Sequence, residues 1–436
     1  MTDIALPAGS SSKHTSDAAR KRLEKRYAAE RRFKFYGMVA LSFAIGALFL
    51  LLLTILSNGS TAFVQTHIRL PVHFDPAIVD PDGKRDPAAY RQANWAAVVR
   101  AALQEKFPEV RGRLPQRQLD ALLSDGAQIE LLRMITADPS LLGQRREVWL
   151  LTSSDIDMIQ KGHSSRDVPE SSRRVNDAQL GWLDRLAAEG RLEKRFNTRF
   201  FTAADSRQPE LVGVWGGVVG SFLTLGITLL LAFPMGVAAA IYLEEYAPKN
   251  RFTDLVEVNI NNLAAVPSIV YGLLGLAVFL QFFGMPRSAP VVGGVVLALM
   301  SLPIIIIASR AALRSVPPSI REAALGIGAS KMQAIFHHIL PLAMPGIMTG
   351  TIIALAHALG ETAPLLMIGM VAFVVDIPGG PLSPSTVLPV QIFMWADNPE
   401  RGFVEKTSAA IMTLLVFLLL MNAIAIWLRK KFERRW

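Results

Sequence analysis

The sequence predicts an all-α polytopic membrane protein with about six transmembrane helices and a small mixed α/β insert outside the bilayer. Hydrophobic residues make up 51% of the 436 residues and the mean hydropathy is +0.34, which is more apolar surface than a soluble fold buries. The chain also contains about six apolar runs of the roughly 20 residues that a helix needs to cross a bilayer. One polar stretch, between the first two runs, is long enough to fold as a domain.

Charge and cysteine content exclude several classes of protein. The formal net charge is +9, but the basic residues lie mostly beside the apolar runs, so we interpret them as topology signals rather than as a nucleic-acid groove. The chain has no cysteine, which excludes disulfides, thiolate chemistry and cysteine-based metal sites.

The first elements are a basic tail, residues 1–34, and a predicted transmembrane helix, residues 35–57. We interpret this helix as a retained anchor, because a cleavable signal peptide has a shorter apolar region and a nearby small-residue cleavage site. The other predicted spans share its length and composition: residues 216–243, 260–283, 289–312, 343–374 and 408–428. They form a predicted membrane core of five helices over residues 211–428, followed by a basic tail at residues 429–436.

Six crossings place both termini on the same side of the membrane, and the two basic tails place that side in the cytoplasm. The segment EEYAPKNRF and residues 313–341 then face the cytoplasm. Residues 58–210 and the loop after residue 374 face outward.

The outward insert, residues 58–210, is predicted to be a small mixed α/β domain. THIRLPVHFDPAIVD and EVWLLTSSDIDMI read as extended segments, and three segments have helical spacing: NWAAVVRAALQEKF, RQLDALLSDGAQIELLRMI and AQLGWLDRLAAEGRLEKRF. The insert has no Gly-rich phosphate loop and no acidic or histidine cluster at ligand spacing. Its arginines could contact an anion, but a solvated face is the simpler interpretation, so the sequence assigns the insert no function.

Residues 313–341 predict two short amphipathic helices joined by a turn. Capping boxes are predicted at Ser319 with Glu322 and at Ser330 with Gln333. Prolines and glycines are predicted to bound the two helices: Pro317, Pro318, Gly326, Gly328, Pro341 and Pro345. Helical spacing places four apolar residues of the second helix on one face: Met332, Ile335, Phe336 and Ile339. Such a segment could rest on the membrane interface, with Glu322 serving only as a cap.

The segment ALAHALGETAPLLMIG, residues 354–369, places two ionisable residues in an otherwise apolar span. Glu361 follows His357 by one helical turn, and burying such groups in a membrane is costly, so a functional role is the default hypothesis. Gly360 and Pro364 can interrupt the helix and expose backbone N–H groups. The alternatives are a helix–helix hydrogen bond for Glu361 and a packing role for His357. No metal site is predicted, because the adjacent pair His337 and His338 diverges by about 100° on a helix.

Residues 322–341 resemble the cytoplasmic EAA loop of ABC-transporter permeases. Its pattern of Glu-Ala-Ala, Gly and a final Leu-Pro corresponds to Glu322, Ala323, Ala324, Gly328, Leu340 and Pro341. His338 stands where the pattern has Ile, and the adjacent Ile339 could fill the same apolar role. In that family the loop docks in a cleft of a separate ATPase subunit, so the resemblance implies that these residues couple this chain to an ATPase.

The segment GETAPLL, together with AAVPSIVYGLLGLAVF and LPVQIFMWA, resembles the PstA-type permeases of phosphate-specific transport systems over roughly residues 211–436. The resemblance implies an importer for inorganic phosphate in which this chain forms half of the translocation pathway. The implied substrate-pathway residues are His357, Gly360, Glu361, Thr362 and Pro364. Many members have Arg where this chain has His357. The insert resembles an extension, of unknown role, that is found in one branch of the family.

Two roles for Glu361 stay open. Its carboxylate could accept a hydrogen bond from the O–H of hydrogen phosphate, a group that sulfate lacks. It could instead pair with a basic residue, such as Arg310 or one on a partner subunit.

Partners and location follow from the same resemblance. No stretch reads G-x-x-x-x-G-K-[ST], so the chain is not expected to be an enzyme, and ATP is expected on partner subunits. The resemblance implies two cytoplasmic ATPase subunits, a homologous second permease and an extracytoplasmic phosphate-binding protein, in the inner (plasma) membrane of a bacterium. Neither catalytic residues nor a nucleic-acid partner is expected in this chain.

Three other functions are weighed. Sulfate and molybdate permeases carry a related Gly-Glu pair without the Thr-Ala-Pro that follows it here. A secondary transporter usually shows internal repeats and more paired charges within its spans. A membrane sensor needs a cytoplasmic output domain, whereas the longest predicted inward segment is the N-terminal tail.

Overall fold

The computed structural model describes residues 17–83, 85–371 and 373–432. The outermost parts of the two predicted basic tails, residues 1–16 and 433–436, lie outside the described residues. The chain divides into two compact units, Met1–Ser57 and Asn58–Trp436.

The described residues of the first unit are helical and belong to α1 (Asp17–Ser60), which ends three residues beyond this unit and is longer than the predicted span at residues 35–57. The helix begins earlier because the preceding basic segment is rich in Ala, Arg, Lys and Glu, which have high helix propensity. An ion pair of 2.6 Å between Glu30 and Lys34, at i and i+4, supports the same helical stretch.

In its described residues, 58–83 and 85–210, the insert combines three strands with eight short α-helices. In chain order these elements are β1 (Val64–His73), α2 (Pro76–Val79), α3 (Pro87–Gln92), α4 (Trp95–Lys106), α5 (Arg113–Asp120), α6 (Gly126–Ala137), β2 (Arg145–Leu151), α7 (Ser154–Gln160), α8 (Asp177–Ala188), β3 (Leu192–Phe196) and α9 (Thr198–Thr202). This composition confirms the predicted mixed α/β class.

The core of the insert lies on one face of an antiparallel sheet with the strand order β2-β1-β3. His67 of the central strand pairs with Leu151 of β2 and with Glu193 of β3. The alternate residues Ile68 and Leu70 are fully buried and belong to the same apolar cluster as residues of α4 and α6. Strand periodicity therefore separates a buried face from a polar face.

Two segments of the insert differ from the prediction. The strand predicted for EVWLLTSSDIDMI ends at Leu151, and α7 follows with Asp155 and Asp157 in its first turn, where carboxylates favour a helix N-terminus. The helix predicted for AQLGWLDRLAAEGRLEKRF ends at Ala188, and the last five residues of this sequence segment form β3 instead. Gly190, with a φ of +65°, ends that helix because it adopts the left-handed conformation at little cost.

Helices dominate the remainder of the second unit. They are α10 (Trp215–Ile241), α11 (Arg251–Ala264), α12 (Ser268–Leu274), α13 (Pro290–Arg314), α14 (Pro318–Gly326), α15 (Lys331–Ala334), α16 (Leu340–Gly360), α17 (Ala363–Met367), α18 (Leu388–Ala396) and α19 (Gly402–Phe432). Three π-helical segments continue α10, α12 and α15: Tyr242–Tyr246, Gly275–Phe282 and Ile335–Ile339.

Five helices in the described part of the chain are long and apolar enough to cross a membrane, by length and composition. They are α1, α10, α13, the continuous helix formed by α15 and α16, and α19. A bent pair, Arg251–Ala264 with Ser268–Phe282, gives a sixth span if it counts as one. The prediction of about six transmembrane helices is therefore confirmed.

Two predicted spans are not single helices. The span predicted at residues 260–283 bends by 101° between α11 and α12, because Pro267 disfavours a helical conformation at the preceding Val266. The span predicted at residues 343–374 ends at Gly360, and the chain is extended at Glu361 before α17 begins.

α13 lies between α10 and α16 and contacts both closely. A Cβ on Gly294 of α13 would lie 2.6 Å from the side chain of Ile227, and one on Gly236 of α10 would lie 2.7 Å from Ile305. Glycines at these crossings let the helix backbones approach, as small residues do between membrane helices.

Candidate functional site

The segment between α13 and α16, which we call the α14–α15 segment (residues 315–339), forms two short helices, as predicted. α14 begins at Pro318 after Pro317 and ends at Gly326. The predicted capping box at Ser330 and Gln333 is present, since Gln333 N donates to Ser330 Oγ at 3.3 Å and Ser330 N donates to Gln333 Oε1 at 2.9 Å.

Two local predictions for this segment are wrong. Ser319 and Glu322 form no capping box, because the helix begins at Pro318 and Ser319 already lies within its first turn. Pro341 and Pro345 do not end the second helix, which continues through the π-turn Ile335–Ile339 into α16. The π-turn directly before Pro341 widens the helix where the proline lacks an N–H and its ring crowds the preceding turn.

The residues of the EAA pattern divide between solvent and core. Glu322, Ala323 and Gly328 are exposed, and Ala324 is buried. Leu340 and Pro341 are half-buried. His338, at the position that departs from the pattern, is half-buried, while Ile339 beside it is fully buried. Glu322 is therefore free of a capping role and faces solvent.

The four apolar residues predicted to share one face of the second helix divide between a buried face and an exposed face. Ile335 and Ile339 are buried in a cluster with residues of α10, α13 and α16, whereas Met332 is 62% exposed and Phe336 is 45% exposed. Ile327, in the turn between the two helices, is 83% exposed. The segment thus packs one apolar pair onto the helices that could span a membrane and presents other apolar side chains to solvent.

A charged network that the sequence analysis missed lies at the end of α10. Arg321 of α14 contacts Glu245 with two guanidinium nitrogens, and its Nε lies 3.2 Å from Glu245 Oε2. Arg314 Nε donates to Glu244 Oε2 at 2.8 Å. The signal in the sequence was the pair of glutamates directly after an apolar run, with an arginine beside Glu322.

The predicted substrate-pathway residues meet at a break between two helices. α16 ends at Gly360, Glu361 is extended with a ψ of 127°, and Pro364 lies in the first turn of α17. His357 Nε2 lies 3.2 Å from Glu361 Oε1, with 53% of the histidine side chain and 17% of the glutamate side chain exposed. The interruption expected at Gly360 and Pro364 is present, and Thr362, half-buried, lies within it.

The break contacts α12 closely. A Cβ on Gly272 of α12 would lie 2.7 Å from Pro364 Cα, so only a residue without a side chain fits there. The end of α16 and the start of α17 are therefore held against the second half of the bent pair.

Arg310 is not the partner of Glu361. Its guanidinium contacts Glu257 of α11, and its Nε lies 3.5 Å from Glu244. Within the described residues, Glu361 contacts His357 instead.

A second buried group of charges, also missed, joins the insert to α19. Lys161 Nζ lies 2.6 Å from Asp157 Oδ2 and donates to Glu405 Oε1 at 2.9 Å, and Lys406 Nζ also lies 2.9 Å from Glu405 Oε1. These four side chains are at most 5% exposed. Asp157 also accepts hydrogen bonds from the backbone N and the hydroxyl of Thr66 in β1.

Further hydrogen bonds connect the residues before α10 with α18. Trp395 Nε1 donates to Asp205 Oδ1 at 2.9 Å, and burial raises the pKa of this aspartate. Gln391 Nε2 donates to the backbone oxygen of Gly213 at 2.9 Å. The insert and the helices that follow it therefore form one packed unit.

Comparison with known families divides the chain into two matched parts. Residues 232–436 match the family described as binding-protein-dependent transport system inner membrane component. Residues 20–170 match a domain of unknown function, DUF3333. The first of these ranges contains both the α14–α15 segment and the helix break at Glu361.

Individual relatives agree with the first match. The chain is 32% identical over 225 residues to the phosphate transport system permease protein PstA 1 of Mycobacterium tuberculosis, covering 51% of this chain and 72% of that relative. It is 30% identical over 222 residues to a PstA protein of Haemophilus influenzae, covering 51% of this chain and 77% of the relative. A probable ABC transporter permease of Bacillus subtilis, YqgI, is 35% identical over 169 residues, which is 38% of this chain and 57% of the relative.

Proposed function

We propose that this chain is the permease subunit of an ABC importer for inorganic phosphate and forms half of the translocation pathway, because the chain belongs to the family of PstA-type ABC-transporter permeases. The observation that carries the proposal is the similarity to the PstA 1 relative over 72% of its length. The protein is a multi-pass membrane protein by its family and by its apolar helices.

The α14–α15 segment is the proposed contact with an ATPase subunit on the cytoplasmic side. Its support is an exposed carboxylate at Glu322 beside exposed apolar side chains at Ile327, Met332 and Phe336. Exposed apolar groups that are rimmed by polar residues are typical of protein interfaces. The proposed coupling residues are those of the EAA pattern: Glu322, Ala323, Ala324, Gly328, Leu340 and Pro341.

The helix break at Gly360, Glu361, Thr362 and Pro364, with His357, is the proposed part of the substrate pathway. A chain that leaves helical geometry at membrane depth is tolerated where it is buried in protein or lines a polar cavity. The carboxylate of Glu361 can accept a hydrogen bond from the O–H of hydrogen phosphate, and sulfate has no such donor. The imidazole of His357, whose Nε2 lies 3.2 Å from Glu361 Oε1, is the proposed positioning group for that carboxylate.

The remaining partners complete the proposal. Two ATPase subunits would bind ATP in the cytoplasm, a second permease would line the other half of the pathway, and an extracytoplasmic binding protein would deliver phosphate. The support for a second permease is the apolar surface of α11, where Phe252, Leu255 and Val258 are more than half exposed. Both termini are cytoplasmic in this arrangement.

Uptake of radiolabelled phosphate tests the proposed function. The chain is reconstituted in membrane vesicles with a second permease, the ATPase and the binding protein. We expect ATP-dependent uptake that excess unlabelled phosphate suppresses and that sulfate or molybdate does not. Equal suppression by sulfate would indicate a general oxyanion permease, and uptake driven by a proton or sodium gradient without the ATPase would indicate a secondary transporter.

The substitution Glu361→Gln tests the pathway in the same vesicles. Loss of one hydrogen bond to a charged group, worth about 1.5–3 kcal/mol, is expected to lower uptake by roughly tenfold or more. Glu193→Gln, on an exposed strand of the insert, is the matched control and should leave uptake unchanged. Co-purification of the ATPase shows that each variant still assembles. Normal uptake by Glu361→Gln would reduce this residue to a packing role.

A further inference from the structure

The π-turn Tyr242–Tyr246 at the end of α10 receives contacts from both short helices of the α14–α15 segment. From α14, Arg321 contacts both carboxylate oxygens of Glu245, whose side chain is only 4% exposed. From α15, the Nζ atom of Lys331 lies 4.8 Å from the ring centre of Tyr246, a cation–π distance. Two cations, ten residues apart in the sequence, therefore meet the same five-residue turn.

An apolar contact lies beneath these polar contacts. Ile335 and Ile339 are buried in one cluster with Ala240 and Ile241, the last residues of α10 before the π-turn. The α14–α15 segment, which connects α13 to α16 along the chain, therefore also packs against the end of α10. A displacement of the segment must either carry the end of α10 with it or break a buried ion pair.

The neighbouring ion pairs have a different role. Arg310 and Arg314 of α13 contact Glu244 and Glu257, which joins α13 to the end of α10 and to α11. None of these four residues lies on α14 or α15. In the part of the chain that the structure describes, the pair Arg321–Glu245 is the ion pair that links the α14–α15 segment to a helix long enough to span the membrane.

We propose that Arg321 is a positioning residue that transmits movement of the α14–α15 segment to α10 through its buried ion pair with Glu245. The pair suits this role because Glu245 cannot lose its partner without leaving a charge buried and uncompensated. The π-turn suits it as well, because π-helical turns are rare and frequently mark functional sites in helices. The inference rests on the proposed function, in which an ATPase moves this segment.

The coupling between ATP hydrolysis and transport tests this role. Arg321→Glu places like charges together at the π-turn, and the double variant Arg321→Glu with Glu245→Arg restores an opposite pair in reversed order. Each is measured in the complete reconstituted complex as ATP hydrolysed per phosphate taken up. We expect Arg321→Glu to retain hydrolysis and lose uptake by roughly tenfold, and the double variant to recover most of it.

Arg314→Gln is the control, because Arg314 is 59% exposed and pairs with Glu244 and Glu257 rather than with a residue of α14 or α15. It should leave the ratio of ATP hydrolysed to phosphate transported unchanged. Arg321→Lys, which keeps the charge and loses the paired geometry, should give an intermediate ratio.

A second measurement does not depend on the substrate. Hydrogen exchange of the backbone amides in residues 242–247 is compared with and without a non-hydrolysable ATP analogue. We expect the nucleotide to change exchange at this turn in the unsubstituted complex and in the charge-swapped double variant, but not in Arg321→Glu.

Several results would overturn the inference. An unchanged ratio in Arg321→Glu would do so, as would a parallel loss of hydrolysis and uptake that the charge swap does not recover, because that is the behaviour of a purely structural contact. Failure of the proposed function looks different: the unsubstituted complex then shows no ATP-dependent phosphate uptake, and the exchange experiment still decides the role of Arg321.

Discussion

Gly328 sets the direction of the chain between α14 and α15. Its φ of +89° lies in the left-handed region, and no neighbouring atom lies within 4 Å of where a Cβ would stand. Gly326, two residues earlier, ends α14 in equally open space but is not in the left-handed region. The two glycines therefore differ in backbone conformation and not in packing.

We predict that Gly328→Ala destabilises the turn by roughly 1–2 kcal/mol, the cost of a left-handed conformation for a residue with a Cβ. Gly326→Ala should be neutral or slightly stabilising, because alanine favours a helix more than glycine does. Limited proteolysis of the purified chain within residues 315–339 measures the difference. Equal cleavage rates for the two variants would contradict the prediction.

Among single residues, the serine and glycine positions in the sequence predicted one helix cap and one turn correctly and a second cap wrongly. Ser330 caps α15 as expected, and Gly328 forms the turn. Ser319 does not cap α14, because the second of two prolines, rather than the serine, begins the helix. Sequence spacing alone did not show at which of these residues the helix begins.

At the scale of elements, α19 is fixed to the insert by the charged group of Asp157, Lys161, Glu405 and Lys406. The group contains two acids and two bases, so its formal charge is zero. Buried ion groups of this kind are costly to form, but removing one member leaves the others uncompensated. The stability of the insert and the packing of the start of α19 therefore depend on the same group of ion pairs.

We predict that Glu405→Gln destabilises the protein by about 3–5 kcal/mol, because it leaves Lys161 and Lys406 buried with a single carboxylate. Arg166→Gln is the control, since its pair with Asp184 is exposed and is worth about 0–1 kcal/mol. Unfolding of the full chain in detergent, followed by tryptophan fluorescence, gives the comparison. Similar unfolding midpoints for both variants would show that the buried group adds little stability.

The long apolar elements were predictable, but their breaks were not. Apolar composition over roughly 20 residues indicates a possible span wherever it occurs, because a bilayer selects for length and hydropathy. The bend at Pro267 and the end of α16 at Gly360 lie inside such runs. Proline and glycine made an interruption possible, but similar residues, such as Pro303 within α13, leave a helix continuous.

At the scale of the whole molecule, the proposed orientation places the α14–α15 segment and the insert on opposite sides of the membrane. The absence of cysteine makes this testable, because any introduced thiol is the single reactive one in the chain. Ser319 of α14 and Ser171 of the insert are both exposed, which suits them to labelling.

We predict that a membrane-impermeant thiol reagent labels Ser171→Cys in intact cells and labels Ser319→Cys only after the membrane is opened. The physical reason is the positive-inside rule, from which we expect the basic tails to lie in the cytoplasm. Labelling of Ser319→Cys from outside would reverse the orientation and would remove the proposed ATPase contact.

The sequence by itself determined the membrane class, about six possible spans, the mixed α/β insert and the two motifs, because hydropathy, period and residue order are properties of local stretches. Only the tertiary structure decided which charges meet. Arg321 and Glu245 are far apart in the sequence, as are Lys161 and Glu405, and Arg310 meets Glu257 rather than Glu361 because of how α13 packs against α11. The physical reason is that an ion pair is fixed by distance and burial in the folded chain, and neither quantity is encoded in a single segment.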